Sequence, residues 1–84
     1  MKTSFHIVYH WSDEYGSYDE WTEERSAESL ESVKADIEDY LKREHNEVGL
    51  HCDGITIDVY VKYTRVACGK YEDEETEWLS EDRW

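Results

Sequence analysis

Ile55-Thr56-Ile57-Asp58-Val59-Tyr60-Val61-Lys62-Tyr63-Thr64 alternates apolar and polar side chains along its whole length. Ile55, Ile57, Val59, Val61 and Tyr63 fall on one side, and Thr56, Asp58, Tyr60, Lys62 and Thr64 on the other. That two-residue period belongs to a strand with one buried face. The pattern predicts a strand over 55–66, and its apolar side requires a cover.

The cover is predicted at 27–44. Ala27, Leu30, Val33, Ile37, Tyr40 and Leu41 recur at three- and four-residue spacing, which gathers them on one helical face. Ser26 is the expected N-cap, with Glu28 in the first turn and Lys42 and Arg43 in the last, where each charge suits the helix dipole. Asn46 and Gly49 are the stop signals. Upstream, Phe5, Ile7, Tyr9 and Trp11 alternate with His6, Val8 and His10, a strand over 4–11. Residues 12–17 are turn chemistry. A second strand follows from Tyr18 to Glu24. Downstream, Cys68-Gly69-Lys70 reads as a turn, and Tyr71 to Trp78 as a fourth acidic strand or extended edge, with Leu79 and Trp84 docking the tail. The expectation is one α+β domain over 1–84: a three- to four-stranded antiparallel sheet in β-β-α-β-β order, with one helix packed on one face.

Charge constrains what such a domain does. The chain has 84 residues, 22 Asp and Glu, 9 Lys and Arg, and a formal charge of −13. A surplus of this size raises self-repulsion in the compact state, and a short chain has only a modest core to set against it. Four Trp, seven Tyr and one Phe supply that core, because large rings bury much area per residue. Anionic lipid and nucleic acid are repelled, so neither membrane nor direct nucleic-acid binding is expected. Residues 1–10 are too polar for a signal peptide. Cys52 and Cys68 make no disulfide framework, and a reduced cytoplasmic setting is expected.

Catalytic and metal chemistry find little footing. His45, His51, Cys52 and Cys68 fit no standard zinc spacing. His6 and His10 share a strand face but stand about 13 Å apart, too far for one ion. No EF-hand loop, glycine-rich phosphate loop or nucleophile elbow is present. Paired carboxylates acting as acid and base need a cleft that separates their pKa values, and one small layer offers little room for it. No enzyme, metal or cofactor is expected.

The acids form three zones along the chain: Asp13, Glu14, Asp19, Glu20, Glu23 and Glu24 in the hairpin; Glu28, Glu31, Asp36, Glu38 and Asp39 on the helix; and Glu72, Asp73, Glu74, Glu75, Glu77, Glu81 and Asp82 near the end. On a strand, residues i and i+2 share a face about 6.6 Å apart, a spacing like that of successive phosphates. An extended 71–78 sets Asp73, Glu75 and Glu77 in one such row. The matching target is a groove lined by Lys and Arg, approached by electrostatic steering. A plain solubilising face is the competing reading. Trp11 and Trp21 read as core residues, while Trp78 and Tyr15 read equally as core or as interface anchors.

In size, charge and layout the chain resembles the small acidic DNA-mimic inhibitors encoded by phages, of the anti-CRISPR and anti-restriction type. The hairpin followed by Ser26-Ala27-Glu28-Ser29 resembles a layout common in phage and mobile-element proteins. Those inhibitors share no motif, so the resemblance carries over no residue. It implies a stoichiometric inhibitor, anti-CRISPR foremost, acting in the cytoplasm of an infected bacterium. Such a protein, monomer or homodimer, occupies the nucleic-acid-binding surface of a host defence complex. The alternative is an adaptor or structural module that binds a protein through its sheet edge or aromatic surface.

Overall fold

A computed structural model describes residues 2–13, 15–45, 52–72 and 74–81, with backbone alone at 13, 52, 53, 80 and 81. The chain runs β1 (Thr3–Asp13), β2 (Tyr18–Ala27), α1 (Leu30–Glu44), β3 (Cys52–Val61), β4 (Thr64–Glu72) and β5 (Glu75–Glu81). All strand pairs are antiparallel, in the spatial order β2-β1-β3-β4-β5. The helix carries the chain from β2 across β1 to β3. The architecture is α+β, one helix against one antiparallel sheet, but with five strands rather than three or four.

Alternation builds the core. Ile7 and Tyr9 of β1 lie beside Val59 and Ile57 of β3, with Phe5 two residues before Ile7 on the same face, and Ile55 lies beside Tyr71 of β4. These rings and branched chains are fully buried together with Val66, Ala67 and the helix residues Val33, Ile37 and Leu41. Each large apolar side chain so placed contributes about 1.5–3 kcal/mol over leaving it in water.

The helix starts later than its pattern implies. Ser29, not Ser26, is the N-cap, and its hydroxyl accepts the Ser32 N–H at 3.1 Å. Ser26 and Ala27 instead pair with Ser4 and Thr3, because ladder hydrogen bonds extend β2 past Glu24. The first-turn acid is therefore Glu31 rather than Glu28. Lys42 and Arg43 do lie in the last turn. Asn46 and Gly49 fall outside the described residues.

The alternating stretch 55–66 is two strands. The chain reverses at Lys62 and Tyr63, between the paired Val61 and Thr64, with Lys62 at φ 57°. Neither residue is a usual turn former, so the polarity pattern runs through the reversal unbroken, and Tyr63 ends fully exposed. A bulge follows: Tyr60 pairs with Arg65 and Val59 with Ala67, leaving Val66 as the extra residue.

Cys68-Gly69-Lys70 is strand interior, not a turn. Gly69 stands there because the ring of Trp78, its partner on β5, closes on it. A Cβ at Gly69 would come within 2.8 Å of the indole. Covering a strand glycine with a cross-strand ring recovers packing that glycine alone forfeits. The reversal lies between the paired Glu72 and Glu75, with Glu74 at φ 66°, and makes Tyr71–Trp78 the meeting of two strands. Leu79 does not dock on the core; it is exposed, and Trp84 lies outside the described residues. None of the described helices is long and apolar enough to cross a membrane.

Gly69→Ala forces the Trp78 ring off the sheet. The expected cost is about 1–3 kcal/mol in urea unfolding, with a changed near-ultraviolet tryptophan signal. Unchanged stability would show that the indole does not close on this glycine.

Candidate interaction surface

The side of the sheet away from α1 is uncovered among the described residues. Alternation assigns to it Ser4, His6, Val8 and His10 of β1, Tyr18, Glu20, Thr22 and Glu24 of β2, Thr56, Asp58 and Tyr60 of β3, Lys70 and Glu72 of β4, and Glu75 and Glu77 of β5. This face is polar, with Val8 an isolated apolar residue.

Its groups meet across the strands. His6 Nδ1 lies 2.5 Å from Glu24 Oε1, and the Ser4 hydroxyl donates to Glu24 Oε2 at 3.4 Å. The Tyr18 hydroxyl donates to Glu20 Oε2 at 2.6 Å and lies 3.1 Å from His10 Nδ1. That bond to Glu20 pushes the Tyr18 phenol above its ordinary pKa. Asp58 has His10 Nε2 on one side and Arg65 Nη1 on the other, each at 3.8 Å. Lys70 Nζ sits 3.3 Å from Glu72 and directly opposite Glu77. Such exposed pairs contribute about 0–1 kcal/mol each, so they order the face more than they stabilise the fold. A shallow depression opens at one end, walled by Tyr60 and Tyr63 on one side and by His6 and Glu24 on the other.

The acids anticipated from sequence separate into groups. Glu20 and Glu24 stand on β2, one margin of the open face. Glu72, Glu75 and Glu77 stand at the other, with Glu72 directly opposite Glu75. Four strand spacings put these margins about 19 Å apart. Of the anticipated row Asp73, Glu75 and Glu77, Asp73 lies outside the described residues; Glu75 and Glu77 share the face, joined by Glu72 across the β4–β5 pair. Glu74 is exposed in the turn. Asp19 is exposed at the start of β2, where its carboxylate accepts the Glu20 N–H at 2.9 Å. The helix acids occupy the other layer: Glu31 and Asp36 are exposed, Asp39 pairs with Arg43 at 2.5 Å, and Glu38 accepts the Trp78 indole N–H at 3.0 Å. Glu28 is exposed between β2 and α1. Glu14, Asp73, Asp82, His51 and the side chains of Asp13, Cys52 and Glu81 lie outside the described residues.

Glu23 faces the helix. It accepts the Tyr9 hydroxyl at 3.2 Å and bonds the Arg25 guanidinium, which lies over the Tyr40 ring at 5.7 Å. Trp21 stacks between Tyr9 at 5.2 Å and His45 at 5.1 Å and donates its N–H to the Tyr40 hydroxyl at 3.0 Å. Trp21 and Trp11 thus pack against the core. Trp78 does so too, while Tyr15 is 80% exposed. Sequence reasoning missed this seam, although Trp21, Glu23, Arg25 and Ala27 share one parity and an inward Trp21 carries the others with it. His45 belongs to the seam. Among the described residues, no group of three or more His, Cys, Asp and Glu is arranged to hold a metal ion.

No protein-family model, curated protein or solved structure matches the chain.

Burial, reinforced by the neighbouring Glu23 charge, pushes the Tyr9 phenol far above its ordinary value near 10. Burial, then Glu74, moves Tyr71 the same way. The folded chain keeps these protons where the unfolded chain releases them. Their contribution is therefore complete below about pH 10 and is lost as pH rises above it. Unfolding free energy should fall with pH above about 10, and Tyr9→Phe should make that fall shallower. Equal slopes in the two proteins would contradict the assignment.

Proposed function

We propose that this chain is a non-catalytic binding protein. Its acidic sheet margins dock on the basic, nucleic-acid-binding surface of another protein, in the manner of small phage-encoded inhibitors of host defence complexes. The observation that supports it is carboxylate held in excess on an ordered scaffold. The chain has 22 acids to 9 Lys and Arg, and Glu72 and Glu75 face each other across a strand pair. Like charges directly opposite destabilise a sheet. A face needed only for solubility tolerates Lys at either position and gains a pair by it.

The acids on β2 and β5 stand on strands, where backbone pairing fixes their spacing, and not on loose tails. Glu75 and Glu77, about 6.6 Å apart along β5, present negative charge at an interval like that of a nucleic-acid backbone, and Glu20 and Glu24 stand about 13 Å apart along β2. A groove of Lys and Arg shaped for phosphates meets that array with complementary potential, which raises the association rate and makes binding salt-sensitive. A CRISPR effector is the foremost target of this description, with restriction and recombination enzymes next.

Two measurements check the reading. Pull-down from bacterial lysate at low salt is expected to recover a nucleic-acid-binding protein that DNA competes off and rising salt releases. Recovery only of partners indifferent to both would overturn it. Glu75→Lys should raise folding stability by about 0.2–1 kcal/mol by giving Glu72 an opposite charge, while weakening capture of that partner. A variant both more stable and equally competent in binding would assign this margin to solubility.

A further inference from the structure

We propose that the free edge of β2 is the docking element itself, and that an extended Lys- and Arg-bearing segment of the partner adds to it as a sixth strand. The inference rests on the preceding reading that the partner is basic, and it names the contact. β2 ends the sheet. It pairs with β1 in unbroken register from Ser12–Tyr18 to Thr3–Ala27, so alternate residues along its outer side present N–H and C=O groups without a ladder partner. Among the described residues, backbone–backbone hydrogen bonds outside the ladders sit at the two ends of α1 and none ends on β2, where the Glu20 N–H is held locally by the Asp19 carboxylate.

The two edges of the sheet differ. β5 is 7 residues long, and its pairing shifts register between Cys68 and Gly69. Shortness and a bulge both blunt an edge. β2 is 10 residues long with no register shift, and the chain contains no proline to interrupt it. Only charge guards it, and that charge selects the occupant. A second copy is repelled, because β2 laid against β2 or β5 sets carboxylate beside carboxylate. A neutral strand covers Glu20 and Glu24 without answering them. A basic strand answers both. His6 and His10 contact these carboxylates from the inner neighbour β1, and the Glu24 and Glu20 side chains remain 63% and 46% exposed. Lys or Arg four residues apart on the incoming strand reaches the two. Main-chain bonds then supply affinity and alternate side chains supply specificity, the general logic of strand addition.

The test uses the full-length chain, isotopically labelled, and three synthetic decapeptides. One alternates Lys and Val. The other two are the same sequence N-methylated at all odd or at all even positions, so that either hydrogen-bonding edge is blocked at unchanged charge. Strand addition requires that the unmodified peptide and one N-methylated isomer bind and slow amide exchange along β2, and that the other isomer fail. Binding of the unmodified peptide should fall by about tenfold in Glu20→Lys/Glu24→Lys. It should change by less than about threefold in Asp36→Lys/Glu44→Lys, which alters net charge equally at two exposed helix positions on the other layer. If both N-methylated isomers bind as well as the unmodified peptide, attraction is by charge alone: the edge proposal fails and the basic-partner reading stands. If no peptide binds, both fail.

Discussion

The structure depends on a single apolar layer between the inner side of the sheet and α1. Phe5, Ile7, Tyr9, Ile55, Ile57 and Val59 meet Val33, Ile37 and Leu41 with no solvent exposure, and no second layer lies beyond them among the described residues. Two tryptophans tie the ends of this sandwich. Trp21 on one edge strand donates to Tyr40, and Trp78 on the other donates to Glu38, each at 3.0 Å. The helix is thereby fastened to both outermost strands, although its buried stripe is only a few residues wide. Lys34 completes the second tie, its ammonium 5.2 Å from the Trp78 ring. Packing thus accounts for Phe5, Tyr9, Trp11, Trp21, Tyr40, Tyr71 and Trp78, while Tyr15, Tyr18 and Tyr63 stand exposed.

That layer must outweigh a repulsion spread over the whole surface. Two like charges 10 Å apart in water repel by roughly 0.4 kcal/mol before screening. No one pair matters, but the excess of acids over bases makes many pairs. Some acids are occupied internally: Glu23 by Tyr9 and Arg25, Glu38 by Trp78, Asp39 by Arg43. Those at the sheet margins are not offset to the same degree. Lys70 serves Glu72 and stands opposite Glu77, Glu75 has Glu72 for its cross-strand partner, and Glu20 and Glu24 have imidazoles for neighbours. Exposed carboxylates thus stand on the open face and its two edges, and on the helix layer at Glu28, Glu31 and Asp36.

Periodicity made the layer legible from sequence, because burying one face of a strand or helix leaves a mark at period 2 or 3.6. Phe5 to Trp11, Ile55 to Val61 and Val33 to Leu41 all carried it. Reversals were legible only where they used turn residues. Lys62-Tyr63 turns the chain with side chains that continue the strand pattern, so two strands read as one. Gly69 had the look of a turn residue because the reason for its small size, the Trp78 ring, comes from another strand. The β2 boundary was hidden for a related cause: Ser26 caps helices well in general, yet here its backbone is claimed by Ser4 across the hairpin. Of the candidate acids, those fixed by strand parity could be placed once the strands were known. Glu23 could not be told from Glu24 by charge alone. Which of the two turns inward depends on Trp21, whose side is set by its neighbour Tyr9.

The central claim is that the fold carries negative charge its own contacts do not neutralise. The most direct test is the free energy of urea unfolding as sodium chloride rises from about 10 to 200 mM, across which the screening length falls from about 30 Å to under 10 Å. Stability should climb steadily over that range, and the climb should flatten in Glu75→Lys/Glu77→Lys. Stability that stays level or falls with salt would mean that the carboxylates are already compensated within the fold, and the account of a surface kept charged for a partner would be wrong.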